Sequence, residues 1–461
     1  MTAISPRKRI RGWYFFDWAS QPFYTLILTF VFGPYFASVA TSYFLGTGLA
    51  ENVADARAQS VWSLGQTLTG LFIAFSAPVL GAFADNTGRR IPWIVAFSTL
   101  YVAGTWALWG MLPDGSTIWI SLLAFGIGMI GAEYALIFVN AMLPDLGDEH
   151  EVGQISGSGM AMGYAGGVVA LFVMLLLFVE QGDGKTLIGL DPGLGLFDAQ
   201  MKEGTRFVGP FTALWYVIFM VPFFLWVRDA PHEKKGTTRS ALAELGRSLK
   251  SIVKRRSLFA YLASSMFYRD ALNALYAFGG VYATLVLNWS ITNIGIFGII
   301  GAISAAVFTW IGGRADRRFG PKPVIRFNIF VLTVVTAVIV GMSRQSFFGL
   351  PLAEGSPLPD VVFYILGATI GAAGGALQSA SRSMMVRHAH PDRPTEAFGL
   401  YALSGKATAF LAPALIGLVT WLADSPRIGV SPVIVLFVLS LFLLRWVRAE
   451  GETRQWAERR S

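Results

Sequence analysis

The sequence predicts an all-α polytopic membrane protein of twelve transmembrane helices, arranged as two pseudo-symmetric six-helix bundles. Three observations carry this expectation. Of 461 residues, 54% are hydrophobic and only 14% are charged, whereas a soluble globular chain carries about 25% charged residues. Apolar runs repeatedly exceed the roughly 18–20 residues that a helix needs to cross a bilayer. Features of the first half of the chain also recur in the second.

Hydropathy places the first six spans near 13–40, 58–82, 91–112, 117–141, 155–180 and 207–228. The second six fall near 257–287, 291–312, 322–343, 360–386, 396–422 and 430–448. An even number puts both termini on one side. Of the Lys and Arg residues, 27 fall on that side, six on the opposite side and three inside spans. The positive-inside rule therefore makes both termini cytoplasmic. Residues 1–228 form the expected N-terminal bundle and 257–461 the C-terminal one. The polar segment 229–256 joins them as a cytoplasmic linker, with 240–252 either an amphipathic surface helix or plain solvated chain.

Composition excludes other classes. Without cysteine there is no disulfide, iron–sulfur cluster or thiolate zinc site. The four histidines leave little for a metal, and His388 and His390 sit in a turn without further ligands. The net charge of +8 lies mainly in short loops, not along a nucleic-acid-binding face. Gly157-Ser-Gly159-Met-Ala-Met-Gly163 imitates a dinucleotide pattern, but it lies inside a span, where small residues serve close helix packing. Asn288-Trp-Ser290 is a glycosylation sequon with meaning only on a eukaryotic secretory route. No phosphate-cradling loop or Ser/His/Asp set is visible. The chain reads as no enzyme and as needing no cofactor or metal.

The repeat shows in particular residues. Gly81-Ala-Phe-Ala-Asp85-Asn-Thr-Gly88-Arg89-Arg90 follows span two, and Gly312-Gly-Arg-Ala-Asp316-Arg-Arg-Phe-Gly320 follows span eight. Gly157 and Gly163 match Gly399 and Gly405 at an offset of 242, which also pairs Asn140 with Arg382. Six-plus-six repeats are an organisation of secondary transporters. In the first element, glycines allow a tight turn and close approach. Asp85 can accept from backbone N–H groups at a neighbouring helix N-terminus. The element resembles the signature loop of the major facilitator superfamily. The second copy has one extra residue between Asp316 and Gly320.

Three further segments carry a closer resemblance. Span one opens with Trp13-Tyr-Phe-Phe-Asp17-Trp18-Ala19. Span four runs into Asn140-Ala-Met-Leu-Pro144-Asp145, followed by Gly153-Gln-Ile-Ser156-Gly157 and Gly163-Tyr164-Ala-Gly166-Gly167. Span ten carries Gly375-Ala-Leu-Gln378-Ser-Ala-Ser381-Arg382-Ser383, followed by Phe398-Gly399-Leu-Tyr401 and Ser404-Gly405-Lys406. Together they resemble the vacuole-effluxer family named for a yeast autophagy protein, and its bacterial relatives. The resemblance implies an inner-membrane transporter. It also implies efflux of amino acids, as the yeast family is tied to amino-acid efflux from the vacuole.

Charges inside spans cost about 2.5–3.5 kcal/mol each at a helix centre on insertion scales, so each needs a reason. Glu133 lies deep in span four on a face with Asn140; it is either a protonatable coupling or substrate group, or a buried structural carboxylate. Asp17, Gln21 and Tyr24 form a polar stripe on span one. Arg269, Asn273 and Tyr276 form another on span seven, with Asp270 beside it; structural salt bridges are the alternative for Asp17 and Asp270. Gln378 and Arg382 on span ten and Lys406 on span eleven could bind a carboxylate substrate or neutralise Glu133 and Asp17, and Arg382 could instead snorkel or gate. The expected function is alternating-access, proton-linked movement of an amino acid or similar zwitterion by a monomer in the bilayer. A cation-coupled sugar symporter and a transport-silent receptor or scramblase are the alternatives.

Overall fold

The computed structural model describes residues 4–148, 150–229, 252, 254–289, 291–423 and 425–452. Of the expected linker 229–256, residues 230–251 and 253 lie outside the described residues, and with them nearly all of the possible surface helix 240–252. Nearly all the rest is helix, as a chain crossing lipid must be, because its backbone N–H and C=O groups find no water there.

The helices are α1 (Pro6–Gly46), α2 (Glu51–Thr87), α3 (Ile91–Ala107), α4 (Ile118–Asn140), α5 (Val152–Leu177) and α6 (Val208–Trp226). In the second half they are α7 (Arg256–Leu285), α8 (Ile291–Phe319), α9 (Pro321–Gly341), α10 (Leu358–His388), α11 (Pro394–Ala407), α12 (Leu411–Ala423) and α13 (Pro432–Leu444). Prolines in the first turn start α3, α9, α10 and α13, where the missing N–H costs nothing. Among the described residues, ten helices are long and apolar enough to cross a membrane. The two other expected spans are α7, diluted by Arg269, Asp270 and Asn273, and span eleven, which breaks at residues 408–410 into α11 and α12. A hairpin of β1 (Ser346–Phe347) and β2 (Leu350–Pro351) separates α9 from α10.

Two details differ from the sequence expectation. Both signature elements expected in loops are largely helical: Gly81–Asp85 lies on the last turns of α2, and Gly312–Asp316 on those of α8. Gly88, with φ 65°, makes the turn out of α2. In addition, α1 is not uniform. After Pro22 it becomes a π-helix over Phe23–Phe30, and the Val31 N–H donates to the Leu26 carbonyl at 3.0 Å. Such stretches often mark functional sites.

The chain forms two compact units. The first holds Met1–Ser76, Arg89–Val139 and Met162–His232; the second holds Ala77–Gly88, Asn140–Ala161 and Glu233–Ser461. The end of α2 and the start of α5 thus pack with the C-terminal half of the chain. In the first unit, α1 and α6 meet through Phe16 on Phe223 and Trp18 stacked on Trp215, with centroids 5.8 Å apart. There α3 and α4 cross at Gly104, where a Cβ would strike the Gly128 backbone. In the second unit, α8 and α10 cross the same way at Gly371, where a Cβ would strike the Gly301 backbone, and Ser264 of α7 donates to the Ser440 carbonyl of α13 at 2.8 Å. Large apolar side chains such as Phe75, Ile120, Phe327 and Trp421 stay exposed on the described surface, which suits lipid and not water.

Candidate functional site

In the first unit the π-helical stretch of α1 carries Tyr24, whose hydroxyl is buried without a hydrogen bond. Its electrostatic neighbours are Glu133 of α4, Tyr101 of α3, Asp17 of α1 and Tyr216 of α6. Asp17 and Tyr24, of the stripe expected on span one, thus share an electrostatic neighbourhood with Glu133, expected on a face with Asn140. Asp17 is 8% exposed. Gly163 and Gly167 of α5 make its surroundings possible, since a Cβ at Gly163 would press on Asp17 and one at Gly167 on Gln21 and Thr25. Tyr101 and Tyr216 stack at 4.0 Å, and Ser98 fixes the Tyr216 hydroxyl at 2.8 Å. Sequence reasoning missed these two phenols, because buried tyrosines on apolar helices give no periodic signal. Carboxylates within electrostatic reach of buried phenols can hold and pass protons and can meet a cationic group.

In the second unit, Arg269 donates to the Tyr401 carbonyl at 2.8 Å and lies over the Tyr401 ring at 4.2 Å. Gly405 makes room for it, as a Cβ there would overlap the guanidinium. Neighbouring Asp270, 1% exposed, points elsewhere and accepts the Ala412 N–H at 2.9 Å. It thereby satisfies the first turn of α12 after the helix break. Asn273 and Tyr276 are more exposed along α7. Gln378 is half-buried on α10; Lys406 is on α11, but its side chain lies outside the described set.

Arg382, one turn beyond Gln378, is 4% exposed. Its guanidinium donates to Asn140 Oδ1 at 3.2 Å, to Ser156 Oγ at 3.1 Å and to the Ser156 carbonyl at 2.8 Å. The pair matched by the repeat, Asn140 and Arg382, is thus a direct contact. Ser156 was not singled out as a site residue, although it stands in a quoted motif.

The signature element is latched within the same unit. Asp85 accepts the Thr395 and Glu396 N–H groups at 3.2 and 2.8 Å, in the first turn of α11. Gly81 and Gly399 let α2 and α11 touch, with backbone of the facing helix under 3.0 Å from either added Cβ. Gly157 of α5 and Gly313 of α8 make the corresponding approach. Arg90 and Ile91 instead present their N–H groups to Asp229 in the first unit, while the Arg89 side chain is exposed. Asp316 is buried against Gly153.

Residues 5–457 match the model of the Vacuole effluxer Atg22-like family. The chain belongs to that family. The MFS-type transporter YxiO of Bacillus subtilis is 25% identical over 451 residues, covering 97% of this chain and 96% of YxiO. Autophagy-related protein 22 of Cryptococcus neoformans is 25% identical over 319 residues, 66% of this chain and 52% of the fungal protein. The chain thus spans about half of that relative's length. Among solved structures, the proton:xylose symporter XylE superposes with a TM-score of 0.69 at 13% identity, covering 98% of this chain and 99% of that one. The human organic anion transporter MFSD10 gives 0.68 at 15% identity, covering 96% and 100%. The fold is the twelve-helix major facilitator fold. This Atg22-like protein is a multi-pass membrane transporter of that type, related to the vacuolar effluxers, and its relatives are transporters and not enzymes.

Proposed function

We propose that this protein is a secondary active transporter that moves an amino acid or similar small zwitterion, in the direction of efflux, in exchange for protons. The observation that carries the reading is that Asp17 and Glu133 both lie within electrostatic reach of the buried Tyr24. Two carboxylates there are costly unless they are used. Between them they offer a proton site and an acceptor for a substrate ammonium group. In the second unit, taken by itself, Arg269 is a cation held against the Tyr401 ring at mid-helix. Residues 1–228 and 257–461 act as the two moving halves. Asp85 on α11 and Arg382 on Asn140 and Ser156 hold the gate on the side of the termini, which is the cytoplasmic face of an inner membrane. Family membership supports efflux through the description of the family itself.

The test begins with a thermal-shift screen of purified protein against amino acids, dipeptides and sugars, because a specific ligand stabilises the folded state. Proteoliposome uptake with and without a proton gradient follows for each hit. Amino-acid binding with gradient-dependent accumulation is the expected result. Stabilisation by sugars alone, or accumulation indifferent to the gradient, overturns the reading.

A further inference from the structure

The two signature elements are repeats, yet their carboxylates stand in opposite circumstances. Asp85 holds two N–H groups of α11, from Thr395 and Glu396. At the offset of 242 that relates Asn140 to Arg382, the counterparts of Thr395 and Glu396 are Gly153 and Gln154, in the first turn of α5. Asp316 is packed against that very turn: a Cβ on Gly153 would overlap its carboxyl group. It nevertheless accepts nothing from it. Both Asp316 oxygens are buried without a hydrogen bond, and the residue is 1% exposed.

The reason is local. The start of α5 is already capped by Asp148, whose carboxylate accepts the His150 and Glu151 N–H groups at 2.9 Å. The Asp148 carbonyl takes the Glu151 and Val152 N–H groups at 3.0 Å. The side chain of Gln154 is engaged by Arg317 at 2.6 Å. From α10, Ser383 and Arg387 face Asp316; the Ser383 hydroxyl approaches the carboxyl group without full hydrogen-bond geometry, and Arg387 Nη1 donates to the Ala449 carbonyl at 3.0 Å. From α5 the facing residue is Gly153, which carries no charge. An ionised carboxylate in such a place is far costlier than a neutral acid.

We propose that Asp316 is a proton-binding switch: it takes up one proton when α5 packs on α8 and releases it when they separate. The repeat has thus become a latch in one copy and a proton sensor in the other. The reaction is carboxylate plus one proton to carboxylic acid, with no other reactant. The inference deepens the proton-linked reading above and rests on it for its purpose, not for its test.

The chain has no cysteine, so labels at His150→Cys and Phe319→Cys report the α5–α8 distance by pulsed electron resonance, in detergent and without substrate. In the parent, the ratio of packed to separated protein should rise as pH falls, by up to about tenfold per pH unit, the limit for one proton. Asp316→Asn keeps the shape of the neutral acid and should stay packed, with a ratio independent of pH. If that variant is not monodisperse, Asp316→Ser replaces it, with pH independence again expected. A parent that is flat with pH, or a variant that keeps the parent's slope, overturns the proposal. Failure of gradient-driven transport with the slope lost in the variant would sink the proton-linked function and leave the switch standing.

Discussion

Replacing Asp85 by Asn tests the latch with a change of almost no volume. The carboxylate receives two N–H groups from the first turn of α11, at 3.2 and 2.8 Å. An amide keeps one acceptor oxygen and turns an NH2 toward the other N–H. One hydrogen bond to a charged group, worth about 1.5–3 kcal/mol, is lost. The charge–dipole attraction at the helix start, about 0.3–1 kcal/mol at an exposed site and up to about 2 kcal/mol at a partly buried one, goes with it. Some of this is regained by water, so we take about 2 kcal/mol, or roughly a 30-fold fall in the ratio of latched to unlatched protein. Spin labels at Asn86→Cys and Pro391→Cys in the cysteine-free chain report the ratio as two distance populations. Expression and ligand-induced thermal shift should stay near the parent values. A ratio that moves less than threefold would refute the latch.

Other outcomes follow from the same geometry. Glu133→Gln should abolish gradient-driven accumulation while keeping ligand binding and counterflow exchange, and if Asp17 carries the proton, Asp17→Asn shows that phenotype instead. Gly157→Ala would bring a Cβ within 2.5 Å of Gly313 Cα, so it should separate α5 from α8 and lower the packed population at least tenfold by distance measurement, a cost of about 1.4 kcal/mol or more. A double-mutant cycle on Asn140→Ala and Arg382→Ala should give a coupling of about 0.5–3 kcal/mol in thermal or denaturant unfolding; additivity would deny the contact any energetic weight. For topology, Asp183→Cys should react with an impermeant maleimide in intact spheroplasts and Ser240→Cys should not.

The apolar runs made most of the fold legible, because lipid leaves the backbone no choice but helix. The exceptions have local causes. The π-helical stretch after Pro22 leaves no mark in the sequence, because periodicity reads 3.6 residues per turn through it. The break at 408–410 is completed by Asp270, more than a hundred residues away, accepting the Ala412 N–H. At the candidate sites, the residue types announced themselves: a charge in a span, an Asp between glycines. Their partners did not. That Asp85 would seek a helix start was readable, but not that the start is Thr395, and nothing in the sequence separates Asp85, which holds two N–H groups of a helix start, from Asp316, which holds none.

The contacts of Asn140, Ser156 and Asp85 with the far half of the chain also bear on how the protein is made. Asn140 meets a residue 242 positions later, and Asp85 meets one 310 positions later. At roughly 5–20 residues per second, a ribosome that has finished Asn140 needs about 10–50 s more to deliver Arg382. During that interval, the ends of α2 and α4 and the start of α5 are in place without the surfaces they are shaped for. Their glycines and polar groups face headgroups and water until synthesis catches up. The last turns of the first helices to be inserted are therefore among the last parts of the molecule to find their packing.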